Sequence, residues 1–295
     1  MQLLRSFLIV ASLLLAQIMP AQGPSWIPDG KGFQGIPVAL YSHPQEGVYT
    51  LEVRYSPGFR NGQLILHRYN GLFSTRSKPL PVQVLTAGND NAMSVCRFRN
   101  RTYVAGSFVS NALGIRGVAV WDGLHWSAAD SGLWAHFPVH DEISVNALAA
   151  YKGQLYAAGI FRFSGLRPLR NFAVFDSISW AAVPFPNGEV SCLLTQGDTL
   201  FAGGRFDSMG NVAAQNQAYL FNNIWHREDV HFPVRKLLVT PAGMVACSDD
   251  SVYLRLSRGW IALQQGWNYA IQQLDGICRL KNDLYLSGRF LQTDG

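Results

Sequence analysis

Two copies of His-Phe-Pro-Val, at 136–139 and 231–234, put an imidazole at equivalent points of the chain. Imidazoles paired in this way bind a metal or an acidic ligand, because the ring titrates near neutrality and also coordinates through nitrogen. The stretch reads equally as a stiff connector whose Phe packs beneath the fold, since Phe185-Pro186 repeats it without the His. A second set is cationic: Arg116, Arg162, Arg167 and Arg170 fall in turn-rich segments, where exposed guanidinium groups can meet an acidic ligand. His136, His231 and these arginines are the candidate ligand-binding residues.

No catalytic residue is assigned. A radical copper oxidase needs a Tyr, His and Cys constellation, and cleavage of a glycosidic bond needs two carboxylates facing one pocket. Among 19 acidic residues, Asp122 and Asp176 have a sufficient role as turn formers. Ser248-Asp249-Asp250 lacks the alternating acidic spacing of a calcium loop and reads as a drifted turn. No Cys-x2-Cys or close Cys/His spacing occurs, so neither a metal nor a cofactor is expected. Cys96 and Cys278 share one repeat position, and Cys192 and Cys247 stand where another copy has Ala, which suits small core fillers. A bridge from Cys247 to Cys192 or Cys278 is the alternative.

What must position these groups is legible in bulk properties. The 295 residues are 48% hydrophobic and 15% charged, enough to bury a large core, with 28 Gly and 14 Pro spread along the chain as turn formers. Residues 1–22 read as a secretory signal peptide: a basic start at Arg5, an apolar run from Phe7 to Leu15, then small residues near Ala21 and Gly23. The run is shorter than the roughly 20 residues of a spanning helix, so no transmembrane span is expected in the mature chain. Export to the outside or the cell surface follows. Losing Arg5 lowers the formal charge from +5 to +4, and the basic clusters are too sparse for a nucleic-acid stripe.

Residues 23–295 are organised by a repeat. With Gly159 as the reference, Gly106, Gly204, Ser248 and Gly288 align without gaps at steps of 53, 45, 44 and 40 residues. Eleven positions earlier stand Val95, Leu148, Leu193, Leu237 and Ile277, and three earlier Tyr103, Tyr156, Phe201, Val245 and Tyr285. Two positions later Phe108, Phe161, Phe206 and Phe290 recur, with Asp250 dissenting. Turn letters such as Lys152-Gly153 split each copy into two antiparallel strands. A second pair follows, ending on Trp126, Trp180, Trp225 and Trp260. Four short strands per unit at this spacing predict an all-β chain, a β-propeller of four-stranded blades. Starts near 38, 92, 145, 190, 234 and 274 give about six units, the last incomplete. Trp26 to Phe33 reads as a lone outer strand that either closes the last blade or belongs to a longer array, of which this chain would be the front part.

The run from Ala/Gly-Gly-x-Phe through a Gly-containing loop to Ala-x-Trp-Asp-Gly-x-x-Trp resembles the repeats of secreted bacterial kelch-like and galactose-oxidase-like propeller proteins. A paired Gly persists only at Gly203-Gly204 and Trp-Asp-Gly only at Trp121 to Gly123, so the likeness bears on architecture more than on activity. Export, the repeat form and loops that vary more than strands between copies point to a non-enzymatic extracellular binding, adhesion or scaffold propeller, with a glycan or a cell-surface protein as partner. The alternative is a secreted carbohydrate-active hydrolase or lyase working in the central funnel, which requires convergent carboxylates or His there.

Overall fold

The computed structural model describes residues 7–12, 36–43, 45–55, 61–69, 74–85, 93–134, 143–257, 259–263, 269–280 and 283–292. Nearly all regular structure in them is strand; a single 3-10 turn, Asn111–Leu113, is the exception. The third, fourth and fifth repeat units each become a four-stranded sheet whose strands neighbour one another in chain order. The third blade runs Ser144–Tyr151, Gln154–Ile160, Phe172–Phe175, Trp180–Ala182. The fourth runs Glu189–Gln196, Thr199–Arg205, Gln217–Phe221, Ile224–Arg227, and the fifth Lys236–Thr240, Gly243–Cys247, Val252–Leu256, Gly259–Ala262. The hairpins turn where the sequence indicates. Arg99, Asn100, Lys152, Asn222 and Asn223 hold φ between 46° and 63°, the left-handed values a tight hairpin demands.

First strands form the hub. Those of the first to sixth units, Ile36–His43, Ser94–Phe98, Ser144–Tyr151, Glu189–Gln196, Lys236–Thr240 and Tyr269–Leu280, touch in succession, and the sixth returns to the first. The chain is therefore a β-propeller, its blades packed face to face around an axis. Between successive blades lie apolar clusters built from the recurring letters. Tyr103 of the second blade meets Phe175 of the third edge-on at 6.1 Å, and Phe172 of the third meets Trp225 of the fourth at 5.8 Å. Tyr103, Tyr156, Phe201 and Val245 are all buried, as are Phe108, Phe161 and Phe206. Each ring so removed from water contributes roughly 2–3 kcal/mol, which no lone blade can realise. The closing Trp residues add polar stitches across the same seams: Trp126 Nε1 donates to Lys78 O at 2.8 Å and Trp180 Nε1 to Ala129 O at 3.1 Å.

Three features depart from uniform four-stranded units. The first and second blades merge into one nine-stranded sheet, because Leu80–Val84 pairs both with Asn61–Tyr69 and, through Gln83 and Val84, with Val109 and Phe108. The loops after the second strands of the third and fourth blades contain small hairpins of their own, Phe163–Ser164 with Arg167–Pro168 and Ser208–Met209 with Val212–Ala213. In the sixth unit Phe7–Ser12 adds to the edge of Asp283–Gln292 with Val10 opposite Tyr285, the register Val174 holds opposite Tyr156 in the third blade. The apolar run expected within the leader thus lies where a third strand lies elsewhere. Trp26 to Phe33, read as a lone outer strand, falls outside the described residues.

The recurring reference glycine has a local cause. First strands bulge opposite it, between Val145 and Ala147 and again between Val190 and Cys192, so the bulged backbone presses against the second strand. A Cβ on Gly159 would sit 2.0 Å from Ser144 O, and one on Gly204 2.0 Å from Glu189 O.

Candidate functional site

Antiparallel pairing sends the starts of first strands, the ends of second strands and the connectors between blades to one face of the ring. Near its centre the bulged positions carry polar side chains: Asn146, Ser191 and, at the matching register, Arg235. They meet on Glu189. Its Oε1 accepts from Asn146 Nδ2 at 3.3 Å and from Ser191 Oγ at 3.1 Å, and pairs with Arg235 Nη1 at 3.5 Å. Asn146 is buried and fixed further by Ser144 Oγ, which donates to its Oδ1 at 2.6 Å. On its other side Arg235 donates from Nε to Asp249 Oδ1 at 2.5 Å, and Arg205 Nη2 lies 3.6 Å from Asp249 Oδ2.

Blades three to five therefore converge on two carboxylates that share one guanidinium. Glu189 is 38% exposed and Asp249 53%, so both can still reach a ligand. The contact lengths through the shared guanidinium put their nearest oxygens no more than about 8 Å apart. The donors of Arg205 and Arg235 beside these acceptors suit the vicinal hydroxyls of a sugar.

Farther out, the four expected arginines gather around one hairpin. Phe163–Ser164 with Arg167–Pro168 docks on the preceding connector, where Trp134 N donates to Phe163 O at 2.9 Å and Arg162 N to Trp134 O at 2.5 Å. Arg116 lies over the Trp134 ring at 4.2 Å and Arg170 over Phe185 at 4.9 Å. Arg167 pairs with Asp130 at 3.3 Å and donates to Trp180 O at 3.1 Å. Arg162 is exposed and has no side-chain partner among the described residues.

His231 is exposed, its ring edge-on to Phe232 at 5.0 Å, while buried Phe232 stacks on Tyr253 at 3.8 Å; His136 lies outside the described residues. Cys96, Cys192 and Cys247 are buried free thiols. Burial pushes Cys96 and Cys192 up to about 12, and Cys247 is raised as well. Among the described residues no group of three or more His, Cys, Asp or Glu side chains could hold a metal ion, and no helix is long and apolar enough to cross a membrane.

No protein-family model matches the chain, and no curated protein sequence does. Solved structures resemble it more distantly. An α-L-arabinofuranosidase from Clostridium thermocellum aligns over 78% of this chain and 93% of its own at 14% identity and a TM-score of 0.35. The N-terminal domain of Nup159 aligns over 85% and 75% at 9% identity and 0.38. The polysaccharide lyase Uly1 aligns over 88% of this chain but 58% of its own, at 10% identity and 0.34.

Sequence reading missed the central cluster. It located the repeat from eleven positions before the reference glycine onward; two positions earlier, Asn146, Ser191, Arg235 and Asp275 put a polar residue within or just before the first strand in four consecutive units. A polar residue at a fixed point of an inner strand was the available signal. Asp249, read as part of a drifted turn, belongs to this cluster through Arg235.

Proposed function

We propose that this chain is an exported, carbohydrate-directed propeller whose site is the cluster of Glu189, Arg235 and Asp249. The observation that carries this reading is the sharing of one guanidinium by two part-exposed carboxylates from neighbouring blades. Such a pair can divide acid and base roles across a glycosidic bond, which favours a hydrolase or lyase. Binding without turnover is the second reading, favoured because each carboxylate already has a cationic neighbour and needs no further proton donor.

Glycan-array binding by the full chain, followed by turnover assays on every hit, separates the readings. A hydrolase or lyase releases product and loses it on Glu189→Gln or Asp249→Asn while retaining binding. Hits without product in any assay leave the binding module. An array with no hit rejects the carbohydrate reading altogether.

A further inference from the structure

The arginine ledge, farther out than the central cluster, holds more positive charge than the described residues around it balance. Around the hairpin from Phe161 to Asn171, Asp130 answers Arg167, whereas Arg116, Arg162 and Arg170 make no carboxylate contact among the described residues. Two of them are held rather than loose. Arg116 and Arg170 lie over aromatic rings, an arrangement that fixes a guanidinium plane while its N–H edge remains available. Arg162 stands between them in the chain fold: its amide is bonded to Trp134 O, whose ring carries Arg116, and its carbonyl accepts from Leu169 N at 2.5 Å, next to Arg170. Holding exposed like charges on one short hairpin is unfavourable unless a counter-charge arrives. Planar forked donors match a carboxylate or sulfate.

From this we infer that the ledge binds the anionic substituent of an acidic polysaccharide, a uronate carboxylate or a sulfate ester, on a glycan chain that the central cluster holds elsewhere along its length. The inference rests on the carbohydrate reading and narrows it to charged glycans. Ordered guanidinium groups lose little side-chain freedom on binding, so the selectivity lies in charge and not merely in ring shape.

The test compares the full chain against polygalacturonate, dextran sulfate, neutral dextran and neutral arabinan by calorimetry at low and at moderate salt. Vesicles of equal parts phosphatidylglycerol and phosphatidylcholine form a separate arm. The expected result is binding of polygalacturonate or dextran sulfate at least about tenfold tighter than of either neutral polymer, weakening as salt rises. Arg162→Ala and Arg170→Ala each lower that affinity about two- to fivefold, the scale of an exposed charge contact, with unchanged thermal unfolding. Equal affinity for neutral and acidic polymers overturns the ledge inference and leaves the carbohydrate reading standing. Binding to no polymer overturns both, and binding to vesicles alone replaces the glycan with lipid phosphate.

Discussion

Gly203 and Gly204 stand side by side in the second strand of the fourth blade, yet a methyl group added at each meets a different obstacle. At Gly204 it would lie 2.0 Å from Glu189 O and 2.9 Å from Val190 Cα, both backbone atoms of the bulged first strand. Heavy atoms cannot approach a Cβ within 3.0 Å, so that strand must retreat by about 1 Å. At Gly203 the nearest atoms are Val234 Cγ1 at 2.6 Å and Cys192 Sγ and Val234 Cβ at 2.9 Å, side-chain atoms on a connector and a strand that need shift by only a few tenths of an ångström. Overpacking against fixed backbone falls at the upper end of the usual range, so Gly204→Ala should destabilise by about 3 kcal/mol and Gly203→Ala by about 1.5 kcal/mol. Gly197→Ala is the control: its Cβ meets nothing within 4 Å, and the strain at φ +56° costs about 1 kcal/mol. Urea unfolding of the full chain, followed by tryptophan fluorescence, ranks the three. The bulge explanation fails if Gly204→Ala proves no more destabilising than Gly203→Ala.

Other consequences are checked as directly. Trp180→Phe removes a fully buried indole N–H and leaves Ala129 O with the bond from Gly132 N alone, so the midpoint of urea unfolding should fall by the equivalent of about 1–3 kcal/mol. Cys96, Cys192 and Cys247, buried and held as thiols, should resist iodoacetamide at pH 8 in the folded chain and react on unfolding; a cross-linked peptide pair in the native digest would contradict this. Burial alone would push the Glu52 carboxyl up, but hydrogen bonds from Arg54 at 2.7 Å and with His67 at 2.6 Å outweigh it and hold Glu52 below its ordinary 4.5. Its contribution to stability is therefore complete above that value and disappears as pH falls through the lower folded one. Glu52→Gln should flatten the stability curve across that acidic window, and an unchanged curve would show that Glu52 does not carry it.

Much of the blade is written in the order of the letters. A period of about 40 to 53 residues, with an aliphatic, an aromatic and a glycine at fixed offsets, determines the strand pairs, since hairpin turns and alternating burial depend on neighbours a few residues apart. Tyr103, Tyr156, Phe201 and Val245 are buried for that reason. The clustering of Arg116 with Arg162, Arg167 and Arg170 was half legible: the loop of the last three could be named, but Arg116 lies in the strand Ile115–Trp121 rather than a turn, and the rings of Trp134 and Phe185 beneath Arg116 and Arg170 could not be foreseen. Extra hairpins in the same loops escaped notice because a two-residue strand leaves no periodic trace. Only the tertiary structure brings Glu189 to Arg235 and Asp249, across 46 and 14 residues of chain. Local pattern decides which strand each side chain rides on. Which residues then share the axis is decided by the packing of whole blades, and this follows from burying apolar faces against one another rather than from any spacing in the sequence.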